Sequence, residues 1–251
     1  MNVLVLMAGR DDAFRDAGYL YPKNLAEIAG IPLLERVIEN LSLLRKLEED
    51  VKFYFVVRED ENRRHHTGEI IQLLVPDATV VEVQEPTAGA ACTALLAINH
   101  ISGEDSLLIC NGDQIVETDL VKMIRQFKES RWDGGIAVFE AVHPRWSYVR
   151  VGADGLVRET AEKRPISKNA TAGLYWFARG SDFVKAAMDT IRKDAHVEGI
   201  FYICPVYNEM ILKQKRIGIE KISRSAYWSL ATPRSLAEYE SALQNNGDSH
   251  A

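Results

Sequence analysis

Short apolar runs that alternate with helical patterns constrain the fold of this chain more than any other feature. In the amino-terminal half, runs rich in β-forming residues are separated by segments whose apolar residues recur every three or four positions. Strand, helix and strand in that order build a largely parallel sheet covered by helices. The sequence therefore predicts an α/β fold, with strands at 3–7, 52–57, 79–83 and 106–110 and helical patterns around 34–44 and 60–74.

The carboxyl-terminal half alternates less regularly. A length of 251 residues and 47% hydrophobic content suffice for one substantial core. We predict a single domain over 1–245 and a flexible tail at 246–251, where apolar periodicity is lacking. The predicted elements after residue 113 are helices at 119–129, 181–192 and 233–243 and strands at 135–139, 148–151, 156–159, 174–177 and 217–222.

Charge and composition narrow the classes of partner. A formal net charge of -6 argues against duplex DNA and anionic membrane surfaces. The first apolar run is too short for a signal-peptide core, and no other run approaches a membrane-spanning length. The three cysteines lack paired metal-ligand spacing and fit small core residues of a reducing compartment. We therefore expect a cytoplasmic protein with no nucleic-acid or membrane partner.

Three loops should meet where the parallel strands end, because ligands of open α/β sheets collect at that edge. The first loop, 8–23, carries Gly9, Arg10 and Lys23, a combination that suits a phosphate cradle. The second, 84–93, reads Gln-Glu-Pro-Thr-Ala-Gly-Ala-Ala-Cys-Thr. The third, 111–114, delivers Asp113 directly after an apolar strand. Hard cations prefer oxygen ligands, so Asp113 is the first candidate for a magnesium ligand.

These loops resemble the motifs of the sugar-phosphate nucleotidyltransferases, also called nucleoside-diphosphate-sugar pyrophosphorylases. Ala17-Gly18-Tyr19 followed by Pro22-Lys23 is similar to a capsule-biosynthesis branch of that family. Glu162-Lys163 with Ser167 resembles its Glu-Lys-x-x-x-Ser segment, and 145–149, 201–209 and 228–233 also match in family order. The resemblance implies a Rossmann-like nucleotide-diphospho-sugar transferase fold, with a mixed, mainly parallel central sheet flanked by helices.

The resemblance also implies an activity. Members join an NTP to a sugar 1-phosphate or another phosphorylated small molecule and release pyrophosphate, here for surface-polysaccharide precursors, with Mg²⁺ as cofactor. The expected catalytic residues are Lys23, Arg10 and Asp113, and Asp113 also binds the metal. Expected nucleotide-binding residues are Ala8, Gly9, Arg15, Gln84, Thr87, Gly89, Ala90 and Gly112, and expected acceptor-binding residues are Trp146, Ser147, Glu162, Lys163 and Asn208.

The chain departs from the family pattern at the phosphates. Asp11 stands where the family has its second loop glycine, and Ala13 where it has a phosphate-binding arginine. Added carboxylates repel a triphosphate by about 1 to 4 kcal/mol at contact distance. We predict that Arg10 or Arg15, with Lys23, supplies the missing charge, and Arg10 is the better candidate because it directly follows Gly9. Both arginines could instead only neutralise neighbouring aspartates. Ser229 replaces the usual second metal carboxylate.

Other functions stay open from the sequence alone. A glycosyltransferase of similar fold normally carries Asp-x-Asp, whereas Asp113-Gln114-Ile115 supplies one aspartate. A catalytically weakened relative that binds a nucleotide or a sugar phosphate without turnover would explain the altered first loop. A dinucleotide dehydrogenase needs Gly-x-Gly-x-x-Gly, which this loop lacks. The sequence selects neither the base nor the acceptor, which could be a choline-like phosphate, and it leaves homo-oligomerisation open.

Overall fold

A computed structural model describes residues 1–47 and 50–247. For residues 246 and 247 it describes the backbone alone. Strands and helices alternate through its first half, as the apolar runs predict. The elements there are β1 (Asn2–Leu6), α1 (Asp12–Asp16), β2 (Glu27–Ile28), β3 (Ile31–Pro32), α2 (Leu33–Ser42), β4 (Lys52–Arg58), α3 (Glu59–His65), α4 (Thr67–Leu74), β5 (Thr79–Val83), α5 (Ala90–Leu95), α6 (Ile98–Ile101), β6 (Leu107–Asn111) and β7 (Gln114–Val116).

The second half contains longer helices and several antiparallel strands. Its last helix reaches two residues into the segment predicted as a tail, and residues 248–251 of that segment lie outside the described part. The elements are α7 (Leu120–Glu129), β8 (Gly134–Glu140), β9 (Tyr148–Val151), β10 (Val157–Ala161), β11 (Asn169–Phe177), α8 (Gly180–Arg192), α9 (Ile203–Leu212), β12 (Ile217–Lys221), β13 (Tyr227–Ser229) and α10 (Pro233–Gly247).

A parallel block forms one part of a nine-stranded sheet. Its strands lie in the order β6, β1, β4 and β5, and Leu4 of β1 pairs with Tyr54 on one side and Ile109 on the other. Successive residues of β1 enter different cores: Val3 and Val5 pack in one, Leu4 in the other. The sheet is therefore covered on both faces, as continuous apolar strands require.

The rest of the sheet is mixed. Strand β11 runs antiparallel to β6 and β8, and β12 is parallel to β8. The start of β11 also pairs with β9, which forms an antiparallel pair with β10. A separate two-stranded ribbon joins β13 to β7, just beyond the end of β6. This ribbon brings a late segment of the chain beside Asp113.

The predicted strands and helices are present with small shifts at their ends. Strand β11 is the largest difference, because it begins at Asn169 and not near residue 174. Helix α9 occupies a segment in which the sequence had indicated only a motif match. Within the described residues, no helix is both long and apolar enough to cross a membrane.

Candidate active site

Lys23 and Asp113 meet at the carboxyl-terminal edge of the parallel strands. The Lys23 Nζ donates to Asp113 Oδ2 at 2.6 Å, and the lysine side chain is only 8% exposed. A Cβ on Gly9 would lie 3.5 Å from that Nζ, so the first loop passes directly beside it. The Asp113 carbonyl accepts from Leu230 N at 2.7 Å, which attaches the ribbon to the same point. Three of the predicted site residues are thus adjacent.

A buried network fixes the backbone next to Lys23. Asn24 Nδ2 donates to Met7 O at 3.1 Å and to Glu61 Oε1 at 2.8 Å, and Thr67 Oγ1 donates to the same Glu61 oxygen at 3.3 Å. Burial raises the pKa of Glu61, and the hydrogen bonds from Asn24 and Thr67 oppose that shift. Sequence analysis did not identify this network, which connects the end of β1 to α3 and so positions Lys23.

A cavity of about 470 Å³ lies in the first and second loops. It is bounded by segments that follow β1, β4 and β5, whose carboxyl ends share one sheet edge. Among the predicted nucleotide-binding residues it includes Ala8, Arg15, Gln84 and Thr87, together with Arg10. Its lining comprises Ala8, Arg10, Asp11, Asp12, Arg15, Arg58, Asp60, Val83, Gln84, Glu85, Pro86, Thr87 and Thr93.

Arg58 is the cation in this cavity that sequence analysis missed. Its Nη1 donates to Asp11 Oδ1 at 3.1 Å and its Nε to Asp60 Oδ1 at 3.0 Å. Burial acts to lower the pKa of Arg58, but hydrogen bonds and charge from Asp60 and Asp11 raise it overall. Asp11, the residue in the glycine position, is therefore neutralised from β4. The signal was available only as an arginine at the end of a neighbouring parallel strand.

Two arginines of the first loop share another aspartate. Arg15 Nη2 lies 2.6 Å from Asp12 Oδ1, whereas Arg10 Nε lies 4.0 Å from Asp12 Oδ2. Arg10 is 87% exposed. Arg15 thus neutralises a neighbouring aspartate, whereas Arg10 extends from the loop with its charge only loosely paired. The phosphate role of these arginines stays a prediction.

Packing explains two of the predicted nucleotide-binding glycines. Gly89 has φ +122°, and a Cβ there would lie 2.5 Å from Phe201 O. Ala91 N donates to that oxygen at 3.0 Å, and Phe201 N donates to Ala88 O at 2.8 Å. Gly112 is similarly close to Met7, whose Cγ would lie 2.3 Å from a Cβ. Ala90 follows Gly89 as the first residue of α5.

The acceptor residues predicted from the Glu-Lys motif come together on β9 and β10 or beside them. Ser147 Oγ donates to Glu162 Oε2, and Lys163 N donates to Trp146 O at 3.1 Å. Burial raises the pKa of Glu162, while the Ser147 hydrogen bond and the charge of Lys163 oppose the shift. The structure therefore brings these four predicted residues together, namely Trp146, Ser147, Glu162 and Lys163.

Two predicted acceptor ligands already have protein partners. Lys163 Nζ lies 3.1 Å from Glu198 Oε2 and 5.6 Å from the Tyr202 ring centre. Asn208 Oδ1 accepts from Thr160 N and its Nδ2 donates to Thr160 O, both at 2.9 Å. The two Asn208 hydrogen bonds anchor α9 to β10. The acceptor roles of Lys163 and Asn208 stay predictions.

The Asp113 carboxylate fits a magnesium ion that arrives with a nucleotide. Over residues 1–47 and 50–247, no three His, Cys, Asp or Glu side chains cluster as a metal centre. Ser229, which replaces the second carboxylate, pairs with Gln114 in the ribbon. Mg²⁺ commonly uses one or two carboxylates plus substrate phosphates and water. A single Asp113 is sufficient for that arrangement.

Comparison with known families decides the class of the domain. The family model described as a MobA-like NTP transferase domain matches residues 3–190. The chain belongs to this family. The match covers the parallel block, Lys23, Asp113 and the Glu-Lys segment, so the MobA-like domain contains the main parts of the candidate site.

Individual relatives of this MobA-like domain agree. The bifunctional protein GlmU of Methanococcus aeolicus is 25% identical over 233 residues, covering 91% of this chain and 51% of that protein. The low-salt glycan biosynthesis nucleotidyltransferase Agl11 of Haloferax volcanii is 26% identical over 187 residues, covering 71% of this chain and 49% of Agl11. The chain spans about half the length of these curated relatives.

A solved structure extends the agreement to three dimensions. The nucleoside-diphosphate-sugar pyrophosphorylase from Vibrio cholerae RC9 superposes with a TM-score of 0.82 and 26% identity, covering 95% of this chain and 99% of that one. The predicted nucleotidyltransferase family and the predicted Rossmann-like fold class are confirmed. The capsule-biosynthesis branch stays a prediction.

Proposed function

We propose that this MobA-like domain transfers a nucleotidyl group from an NTP to a sugar 1-phosphate or another phosphorylated small molecule and releases pyrophosphate. The Lys23–Asp113 pair at the strand ends, beside Gly9 of the first loop and joined to the ribbon through Leu230, is the observation that carries the proposal. The names of two relatives, a glycan-biosynthesis nucleotidyltransferase and a nucleoside-diphosphate-sugar pyrophosphorylase, support a sugar phosphate as acceptor and a role in polysaccharide precursors.

The reaction requires positioning more than covalent help. A phosphate oxygen of the acceptor attacks the α-phosphorus, a new P–O bond forms, and the bond from the α-phosphorus to the bridging oxygen breaks. Pyrophosphate leaves with that electron pair. Catalysis rests on alignment and on neutralising negative charge. Lys23 suits this task because its ammonium is buried and held beside Gly9.

Asp113 would hold Mg²⁺, which when bound supplies positive charge to the reacting phosphates. In the protein alone, Lys23 compensates the Asp113 carboxylate at 2.6 Å. Lys23 therefore keeps the site electrically balanced without a ligand and provides an ammonium donor for a phosphate oxygen.

The nucleotide belongs in the cavity of the first two loops. Ala8 and Gly9 follow β1, while Gln84 and Thr87 face the same space from the loop after β5, which Gly89, Ala90 and Gly112 help to shape. Arg10 and Arg15 stay the predicted triphosphate ligands. Arg58 joins them, because two of its five guanidinium N–H groups remain beyond the three hydrogen bonds that it makes to Asp11 and Asp60.

The acceptor belongs beside Trp146 and Ser147. Glu162 is half-buried and accepts one hydrogen bond from Ser147, which leaves carboxylate capacity for a substrate hydroxyl. Lys163 and Asn208 complete the predicted set, each with the protein partner described above. No element of this subsite selects one acceptor, and a homo-oligomer stays untested.

The decisive experiment measures pyrophosphate release for each of ATP, CTP, GTP and UTP with a panel of sugar 1-phosphates and small phosphates such as phosphocholine, in Mg²⁺. We expect one pair to react and Asp113→Asn to abolish that reaction, while Asp154→Asn, a substitution in an exposed turn, leaves it intact. Nucleotide binding without pyrophosphate release for any pair would overturn the proposal. That result would favour a relative that binds nucleotide without turnover. The feature that supports this alternative is Asp11, which stands in the position of the second loop glycine.

A further inference from the structure

Three aromatic side chains near Asp113 pack into one surface, which we call the aromatic wall: Phe139, Trp146 and Tyr227. The ring centres of Phe139 and Tyr227 are 5.0 Å apart and stacked, and Trp146 meets them edge-on at 5.4 Å and 5.6 Å. Phe139 and Tyr227 are buried, whereas Trp146 is half-buried. The wall therefore belongs to the core on one side and reaches solvent on the other.

Two arginines lie over this wall. The Arg145 guanidinium carbon is 4.3 Å from the Trp146 ring centre, and that of Arg224 is 5.0 Å from Phe139. Arg224 donates one N–H to Tyr227 O at 2.8 Å. Within the part of the chain that the structure describes, neither arginine forms an ion pair with a carboxylate. Stacking on a ring fixes the plane of a guanidinium and leaves its edge N–H groups available.

The wall lies between the two halves of the candidate site. Tyr227 begins β13, which is paired with the strand that follows Asp113, and Leu230 donates to the Asp113 carbonyl. Trp146 precedes Ser147, the partner of Glu162. Burial and the charge of Asp113 raise the pKa of Tyr227, while the charges of Arg224 and Arg145 act to lower it. The charges of Asp113 and of both arginines thus act on one hydroxyl.

We propose that Arg145 and Arg224 bind the phosphate group of the acceptor, beside Asp113. The proposal rests on the proposed nucleotidyl transfer and names the groups that recognise its second substrate. The edges of two guanidinium groups match phosphate oxygens, and no carboxylate has to be displaced from them. Lys163, the ligand expected from the resemblance, would first have to leave Glu198 at 3.1 Å.

The chemistry of the wall also limits which end of a substrate it accepts. Electron-rich rings alone would suit a quaternary ammonium group. Here guanidinium groups already cover the Trp146 and Phe139 rings, and a second cation would be repelled. The wall therefore takes an anionic end, and for a choline-like acceptor this is the phosphate end.

A direct test uses inorganic phosphate as the probe and needs no turnover. In the full chain labelled with ¹⁵N-arginine, we expect the Nε resonances of Arg145 and Arg224 to shift together and saturably with phosphate, both in the wild type and in Lys163→Ala. Chloride at equal ionic strength should leave them in place. Absence of the shift, or an equal shift with chloride, would overturn the proposal.

Kinetics with the pair found by the pyrophosphate scan provides the second test. We expect Arg145→Ala and Arg224→Ala each to raise the KM for the acceptor about tenfold or more, as loss of a charge-assisted hydrogen bond predicts, with the KM for NTP unchanged. The control Arg192→Ala, an exposed arginine on α8, should behave as wild type. A larger effect of Lys163→Ala on the acceptor KM, or equal effects of the two arginines on the NTP KM, would contradict the proposal.

The two tests separate this proposal from the proposed function. Phosphate binding at Arg145 and Arg224 without turnover of any pair would remove the transfer reaction but leave the anion site. Turnover without a phosphate effect on these resonances would do the reverse.

Discussion

The two sides of the candidate site, the nucleotide side and the acceptor side proposed above, hold their cations in opposite ways. On the nucleotide side, formed by the first two loops and Arg58, the guanidinium groups face aspartates: Arg58 contacts Asp11 and Asp60, and Arg15 contacts Asp12. On the acceptor side, Arg145 and Arg224 rest on aromatic rings. A phosphate must compete with carboxylates on the first side and with water on the second.

This difference indicates how a loop could carry acidic residues and still serve as the proposed triphosphate site. Asp11 in a glycine position adds repulsion, but Arg58 compensates it from a different strand. The net charge offered to a nucleotide is then smaller than the number of arginines suggests. Affinity on the nucleotide side should accordingly depend on pairs of residues, and on the acceptor side on single arginines.

Among the variants, Lys23→Ala should lower turnover and unfolding free energy the most. A smaller effect than those of the variants below would contradict the proposed arrangement of the two sides. The substitution leaves the Asp113 carboxylate, 22% exposed, without its partner. We expect turnover to fall by about 10² to 10³-fold, the range for losing one preorganised donor. Unfolding free energy should fall by about 2 to 3 kcal/mol, less than the roughly 3 to 5 kcal/mol of fully buried pairs.

Lys52→Ala is the matched control for that experiment, because Lys52 is 56% exposed and begins β4, at the opposite end of the strand from the candidate site. Steady-state rates and urea unfolding of both variants test the expectation. Equal rates for the two variants would show that Lys23 has no part in the reaction.

Arg58→Ala comes next and tests the pairing on the nucleotide side. We expect NTP binding to weaken by about 1.5 to 3 kcal/mol, as for other hydrogen bonds to charged groups. Asp11→Ala should strengthen NTP binding, and in the double variant the two effects should not add, because the residues are in contact.

Calorimetric titration with NTP measures both effects, and Arg63→Ala, an exposed arginine paired with Glu59 on α3, is the control. An unchanged affinity in Arg58→Ala, with a loss in Arg10→Ala, would return the triphosphate role to the first loop alone.

Asn208→Ala sharpens the boundary of the acceptor side. Its amide bonds both backbone groups of Thr160, so the substitution should lower unfolding free energy by about 1 to 2 kcal/mol. The KM for the acceptor should stay as in the wild type. Asn208→Asp keeps an oxygen that accepts from Thr160 N but loses the amide donor. Its unfolding free energy should therefore lie between those of Asn208→Ala and the wild type. A raised KM in a variant of wild-type stability would instead support the predicted role as a ligand.

Glu162→Gln should have the smallest effect and a specific pH dependence. The raised pKa of Glu162 means that, between its unfolded value near 4.5 and its folded value, the folded protein keeps a proton that the unfolded chain releases. Wild-type stability therefore declines as pH rises through that window. Glutamine removes this decline, so its advantage in urea unfolding should grow from pH 4 to pH 7. A constant difference across pH would contradict a raised pKa of the half-buried Glu162 carboxylate.

Much of the fold could be predicted because strands of a covered parallel sheet must be apolar along their whole length. The sequence located β1, β4 and β6 for that reason, whereas β5, an edge strand that is only partly buried, was located from its β-forming residues. Helix α9 escaped because Pro205 interrupts its start. A proline in the first turn lacks only an N–H that has no helical partner there, so the helix tolerates it.

Site residues that belong to a local sequence motif could be predicted. Site residues that are brought together only by the order of strands in the sheet could not. Lys23 and Asp113 each follow a recognisable motif. Arg58 becomes a cavity residue only because β4 lies next to β1, and the Asn24–Glu61 bond joins residues whose proximity no local pattern reveals. The aromatic wall likewise depends on the β7–β13 ribbon, which pairs segments far apart in sequence.

The contact between Gly89 and Phe201 has a consequence for how this protein can change over evolutionary time. A side chain at Gly89 would meet both the backbone oxygen and the backbone nitrogen of Phe201, at 2.5 Å and 2.8 Å. Neither atom can be removed by substitution, since every amino acid has them. The glycine can therefore be exchanged only if the chain before α9 is rerouted at the same time. We expect descendants of this sequence to inherit the two segments as a unit, even where their substrates diverge.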